Sequence, residues 1–360
     1  MPRSPILLAV RGLDSVGTGR QVELLAAGLR AAGRDVHVAL TTAGGGIAAR
    51  LERDGVPVHR VGRRPTAPDA AAAARLVRLV RRLRPAVLVA CGRSSLPAAA
   101  AAAVAAPATR VAVQLGVAPR RAFEAWALRR LHLVIATTPH VAAACRRAGV
   151  SAETIVTIPP GIVADAGRTL DRAAIATRLG LDPATRWTAC VAPLEAESRL
   201  ERLAWAIDQL GVVRRDVQHV VVGAGPRRDW LLRRAVVQQF AERLVLVPHC
   251  DIVPDMLGHV ALVWQPGDVA HGGAILDAMA RGVPAVAVEG DAARQLVVDG
   301  ETGRIVPPTP ESEFPRRAFT ILEDDALAAR WGAAARARAE AEFPADRMLE
   351  AHVAALERLA

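Results

Sequence analysis

Short apolar runs bounded by glycine or proline alternate with longer stretches of helical period from one end of the chain to the other, and this alternation restricts the fold more than any other feature. A strand followed by a helix and then by another strand returns to pair in parallel, so the pattern specifies α/β units. Ile6–Val10 leads through a loop at 14–19 into a helix from about Arg20 to Ala32, closed by Gly33 as a carboxy-terminal cap, and Val36–Leu40 is the next strand. Further strands are expected at 58–61, 86–90, 110–114, 133–137 and 155–158. The pattern pauses after Pro159-Pro160-Gly161 and restarts at Arg186–Val191. A second sheet is read from Val217–Val222, Leu244–Val247, Val260–Trp264 and Ala285–Val288. With 360 residues, the expected division is a first doubly wound domain over 1–165, a second over 166–343, and a terminal helix over 344–360. That helix carries the stripe Leu349, Val353, Leu356 and Leu359, and a return to the first domain is one option for it.

Composition narrows the function classes. Lys, Asn and Tyr are absent, so all 46 basic residues are Arg; the formal charge is +10 and the sequence pI about 11.1. Those three residues share AT-rich codons, so the charge is read first as the mark of a GC-rich bacterial genome and second as a signal for anionic partners. Only 3% of residues are aromatic, which disfavours nucleic-acid stacking. The Arg-rich stretch 75–84 has apolar residues at 76, 79, 80 and 83, which makes it the solvated outer face of a packed helix in preference to a membrane-surface patch. Cys91, Cys145, Cys190 and Cys250 show no paired spacing and read as buried, reduced thiols without a zinc or disulfide framework. The apolar run at 6–10 is too short for a signal peptide, and Ala98–Ala106 is too short to span a bilayer. The expected location is cytoplasmic, with peripheral contact on the inner face of an anionic membrane as the second option.

Two segments carry candidate chemistry. Gly17-Thr18-Gly19 lets backbone approach a ligand and opens a helix, which suits an anion or a sugar hydroxyl as well as a plain tight turn. The segment from Val269 to Ala287 reads as a glycine turn, a helix starting near Gly272 or Gly273, and a strand after Gly282 and Pro284. A carboxylate such as Asp277, one turn into that helix, can accept from vicinal hydroxyls while free N–H groups at the helix start hold a pyrophosphate. That combination fits a nucleotide.

The same segment resembles the donor-binding signature of the retaining GT-B glycosyltransferases of family 4, whose usual form is E-G-F-G-x-x-x-x-E-A-M-A-x-G-x-P-V-V-A. Gly17-Thr18-Gly19-Arg20-Gln21 is similar to the family's amino-terminal glycine loop, and Ile158-Pro159-Pro160-Gly161-Ile162 to its I-P-N-G-I segment. Gly223-Ala224-Gly225-Pro226 resembles its G-x-G-P turn, and Asp299 to Pro308 its D-G-x-T-G-x-L-V-P-P segment. The resemblance implies two Rossmann-like domains facing a shared cleft and transfer of a sugar, with retention, from a nucleotide-sugar donor to a glycan, lipid-linked or small-molecule acceptor. It implies no cofactor and no metal; a pyridoxal-phosphate reaction is excluded by the absence of Lys. Gly17, Gly19, Arg199, Gly225, Gly272, Gly273 and Asp277 become the donor-binding candidates, and Gln114 and Asp268 the catalytic ones.

Several positions depart from the family pattern. Its two signature glutamates fall on Val269 and Asp277, and Asp268 reaches the first place only by a slip of the loop. The Arg and Lys of its V-G-R-L-x-x-x-K-G segment fall on Pro193 and Ser198, with Arg199 adjacent. A strand-end histidine falls on Gln114, which can donate a hydrogen bond but not relay a proton. Codon bias accounts for Pro160 and Arg199 and leaves Val269, Gln114 and Pro193 to a functional cause. The alternative reading is a catalytically impaired GT-B protein that binds nucleotide as a regulatory or partner subunit.

Overall fold

A computed structural model describes residues 4–13, 16–42, 47–63, 70–163, 170–248, 251–267 and 272–359. The chain forms two compact units, Met1–Gly161 with Ala345–Ala360, and Ile162–Pro344.

Unit 1 alternates strand and helix: β1 (Ile6–Val10), α1 (Gly17–Ala31), β2 (Val36–Leu40), α2 (Ala48–Arg53), β3 (Val58–Arg60), α3 (Ala70–Leu83), β4 (Val87–Cys91), α4 (Leu96–Ala105), β5 (Arg110–Leu115), α5 (Ala122–Leu128), β6 (Leu133–Ala136), α6 (Pro139–Arg147) and β7 (Ile155–Thr157). Every pairing is parallel, in the order β3-β2-β1-β4-β5-β6-β7, so strand order reverses between β1 and β4. Helices α3 to α6 bury Leu76, Val80, Ala99, Leu128 and Val141 against one face, and α1 and α2 cover the other.

Unit 2 contains α7 (Arg172–Leu179), β8 (Arg186–Val191), α8 (Leu200–Val213), β9 (Val217–Val222), α9 (Arg228–Val237), β10 (Leu244–Val247), α10 (Val253–Leu257), β11 (Leu262–Gln265), α11 (Ile275–Met279), β12 (Ala285–Val288), α12 (Asp291–Leu296), β13 (Gly303–Val306), α13 (Glu313–Glu323) and α14 (Asp325–Glu342). Its parallel sheet runs β10-β9-β8-β11-β12-β13 and reverses between β8 and β11. The last helix, α15 (Ala345–Glu357), packs on α1 in unit 1, where a Cβ on Gly28 would lie 2.4 Å from Leu349 Cδ2. A polar network sits inside the unit 2 sheet: Trp264 Nε1 donates to Thr188 Oγ1 at 2.9 Å, and that oxygen lies 2.7 Å from Nδ1 of the buried His219.

The two parallel α/β sheets are those expected from the sequence, with strand bounds moved by one or two residues. Two local expectations are corrected. Gly17-Thr18-Gly19 is the first turn of α1 and not a loop, because Gly17 takes a φ of 61° after an extended Val16 and winds straight into the helix. The second sheet also has a sixth strand, β13; its hydrophobic signal is confined to Ile305 and Val306 behind a glycine, too short to register as a strand. Among the described residues no helix is long and apolar enough to cross a membrane, and none of the described side chains form a metal-ligating cluster of three or more.

Candidate functional site

In doubly wound sheets, loops at the carboxyl ends of the strands where strand order reverses diverge and leave room for a ligand. In unit 2 these are the loops after β8 and β11, which contain Arg199, Gly272 and Gly273 and lead into the helix that carries Asp277.

The β8 loop is folded on itself. Ser198 is buried, and its Oγ donates to the Pro193 carbonyl, so the two positions where the family's basic pair would fall close a loop upon each other. The closed loop delivers Arg199 in the left-handed region (φ 52°), which is uncommon outside glycine, as the residue that opens α8. Arg199 is exposed, has no ion-pair partner among the described residues, and precedes a helix start without a side-chain cap. A cation next to uncapped helix N–H groups is a place where a phosphate is stabilised twice. The same loop approaches β11 closely: a Cβ on Gly267 would lie 2.6 Å from the Glu197 carbonyl oxygen and 3.1 Å from Arg199 Cγ. The guanidinium stem therefore lies against the residue that leaves β11.

Two polar side chains fix the β11 exit. Gln265 donates from Nε2 to the Gly267 carbonyl at 2.6 Å, and Arg202 donates from Nη1 to the Pro266 carbonyl at 2.8 Å and from Nη2 to that of Pro308 at 3.3 Å. The catalytic candidate Asp268, with Val269, lies outside the described residues. Beyond it, Gly272 and Gly273 take φ values of 69° and 55° and lead into α11, which starts at Ile275 and not at the glycines. A Cβ on Gly272 would meet Leu296 Cδ1 at 2.4 Å, so this turn is seated on α12. Asp277 is buried at 7% exposure within α11. Gly225 has a different neighbour: at φ 156° its Cβ would lie 2.4 Å from the Leu194 carbonyl, and one on Gly223 would lie 2.0 Å from that of Ala192. These glycines let the turn after β9 pack against the β8 loop backbone.

In unit 1, Val16 precedes α1 without a side-chain cap, and Gly17 and Gly19 are buried in its first turn. Gln21 then reaches across to the end of the unit, donating from Nε2 to the Gly161 carbonyl and accepting from the Gly161 N–H on Oε1, both at 2.8 Å. Glu23 is buried between Arg20, at 2.6 Å, and Arg50. Gln114 is 1% exposed near the end of β5, in register with Cys91 on β4, and its carbonyl accepts from the Gly92 N–H at 2.9 Å. Burial pushes the Cys91 and Cys190 thiols up to about 12 and that of Cys145 to about 11. They stay protonated at neutral pH and cannot serve as nucleophiles. Cys250 lies outside the described residues. Arg202 and Gln265 had no signal in the sequence, and Gln21 appeared there only as the end of the glycine-loop motif, because each acts on a backbone group whose position only the fold supplies.

The family model described as Glycosyl transferase 4-like domain matches residues 16–161, and that described as Glycosyl transferases group 1 matches residues 186–324. The chain belongs to the family 4, group 1 glycosyltransferases. Within this family it is 29% identical over 171 residues to the alpha-D-kanosaminyltransferase of Streptomyces kanamyceticus, covering 46% of this chain and 44% of that protein. It is 28% identical over 182 residues to the GDP-mannose-dependent monoacylated alpha-(1-6)-phosphatidylinositol monomannoside mannosyltransferase of Corynebacterium glutamicum, covering 48% and 47%. The alignment thus spans about half the length of the curated relatives. In fold the chain resembles HepE of Anabaena, solved with UDP and glucose, at a TM-score of 0.82 and 20% identity over 99% of this chain and 100% of that one.

Proposed function

We propose that this glycosyltransferase moves a sugar, with retention, from a nucleoside diphosphate sugar to a glycan, lipid-linked or small-molecule acceptor, without a metal. The observation that carries the proposal is the juxtaposition in unit 2 of an exposed Arg199, without an ion-pair partner among the described residues, with the strand exit that leads to Gly272, Gly273 and Asp277. Arg199 and the opening amides of α8 would take the diphosphate, and the Asp277 carboxylate the ribose hydroxyls. The sugar C1–O bond breaks toward the diphosphate, whose added charge the guanidinium stabilises, while a bond forms from the acceptor oxygen to C1. Gln114 has no proton to exchange at neutral pH, so the acceptor proton passes to the departing phosphate oxygen. HepE was solved with UDP, and both curated relatives are named transferases, which favours turnover over a purely regulatory role.

The test is calorimetric binding of UDP, GDP and ADP together with release of nucleoside diphosphate from the corresponding sugars. One nucleotide is expected to bind, with Kd raised about tenfold or more in Asp277→Ala and in Arg199→Ala. Nucleotide binding that survives both substitutions in folded protein would refute the site; binding without turnover on any acceptor would refute the enzyme.

A further inference from the structure

The excess positive charge is not spread along the chain. Residues 70–152 contain thirteen arginines and one acidic residue, Glu124, a formal +12 against +10 for all 360 residues, so the remainder is slightly acidic. Codon bias raises arginine everywhere and does not remove Asp and Glu from one segment. In space this segment supplies α3, α4, α5 and α6, the helices on one face of the unit 1 sheet. The helices on the opposite face are balanced: α1, α2 and α15 carry Glu23, Glu52, Asp346, Glu350 and Glu357 against Arg20, Arg30, Arg50, Arg53 and Arg347.

The basic face is also apolar at its centre. Helix α4 lies between α3 and α5 and has no polar side chain; Pro97, Ala101 and Val104 form its exposed stripe, with Val104 71% exposed. Beside it Phe123 and Trp126 stack on α5 with ring centroids 5.7 Å apart and exposures of 48% and 39%; among the described residues no other aromatic side chain is so exposed. Arg130 sits 4.0 Å over the Trp126 ring. Arg78, Arg81 and Arg82 are exposed on the α3 side of the stripe, and Arg120, Arg121 and Arg129 on the α5 side. Glu124 does not offset them outward: it is buried, accepts from the Arg120 and Arg121 amides, and faces Arg93 at 3.5 Å.

We propose that this face of unit 1 docks on an anionic lipid surface, with Phe123, Trp126 and Val104 entering the headgroup layer and the flanking arginines on lipid phosphates. A nucleic acid would lay its phosphates across α4, where no donor meets them; a bilayer interface wants apolar and aromatic side chains at the centre and cations around them. The expected packing of 75–84 holds, with Leu76 and Val80 buried in the core and Arg78, Arg81 and Arg82 exposed; the proposal adds a partner for that outer face.

The test is sedimentation of the full chain with vesicles of phosphatidylcholine alone or containing phosphatidylglycerol, with heparin and single-stranded RNA as competing anions. Binding is expected to the anionic vesicles only and to fall steeply as salt rises to about 0.5 M. Phe123→Ser with Trp126→Ser should lower the partition coefficient about tenfold or more. Arg78→Gln and Arg120→Gln should each lower it about fivefold. Bromolipid quenching should affect the wild type and be weakened in Trp126→Phe. Equal binding to neutral vesicles, no binding to anionic ones, an unaltered aromatic double variant, or RNA binding without vesicle binding would each overturn the proposal. Vesicle binding is read without turnover, and circular dichroism with nucleotide calorimetry on the same variants separates misfolding and any failure of the donor site from failure of this surface.

Discussion

Acidification from pH 7 to 5 should destabilise unit 2 through one residue, His219. Thr188 Oγ1 accepts from Trp264 Nε1 and lies 2.7 Å from His219 Nδ1, while His219 Nε2 is buried with no hydrogen-bond partner among the described residues. Full burial, with Arg243 adding repulsion, holds the imidazole down to about 3, whereas the unfolded chain titrates near 6.5. Because the folded value is the lower one, the unfolded state takes up the proton first as pH falls. Stability is complete above about pH 6.5 and is lost progressively below it. At pH 5 the loss from this residue alone is about 2 kcal/mol, 1.5 pH units at roughly 1.4 kcal/mol each. The assay is urea unfolding at both pH values, followed by the fluorescence of the buried Trp187 and Trp264, in the wild type and in His219→Gln. The variant should lose about 2 kcal/mol less between pH 7 and 5. Lowered histidines also occur at His59, His132 and His352, but they lie in unit 1 and are common to both proteins. The same pH loss in both proteins would refute the argument that His219 is held neutral by its burial.

Other outcomes follow from single contacts. Gly332→Ala would place a Cβ 2.0 Å from the Gly282 carbonyl, backbone that cannot swing aside, and should cost ~3 kcal/mol in thermal or urea unfolding; Gly33→Ala, with open space at φ +72°, should cost only about 1 kcal/mol. Gln21→Ala removes both hydrogen bonds to Gly161 and should cost roughly 2 kcal/mol while speeding hydrogen exchange of the Gly161 amide; unchanged exchange would show that the clasp is not what protects it. Arg202→Met frees the Pro266 and Pro308 carbonyls and should raise the nucleotide Kd several-fold with little change in folding, measured by calorimetry. Ser198→Ala opens the loop to Pro193 and should cost about 1 kcal/mol.

The sequence reveals what is local and periodic. Buried parallel strands such as Leu88 to Ala90 and Val220 to Val222 are short apolar runs that stop at Gly92 and Gly223, and α3 and α15 show their packed stripes directly. The glycines at 223 and 225 are legible as positions that need no side chain, but the neighbour that forbids one, the backbone of 192–194, is distant in sequence. Pro193 and Ser198 read from sequence as two independent losses from a basic pair; the fold joins them in one hydrogen bond and makes Arg199 its product. Net charge misleads for a related reason. A sum over the chain cannot show that one face of one unit holds nearly all the surplus.

Helix α15 has a consequence for synthesis. It packs on α1 near Gly28 and contributes Met348, Ala355 and Leu356 to the core that also holds Leu8, Val22 and Ile158, yet all of unit 2 separates it from them in the chain. At ~5–20 residues per second, ribosomes take about 10–40 s to add that intervening stretch. During this interval the α1 side of the nascent amino-terminal sheet lacks its cover, so unit 2 can finish folding while unit 1 still waits. A chaperone footprint over α1 that disappears only as α15 emerges is the expected trace of this order of assembly.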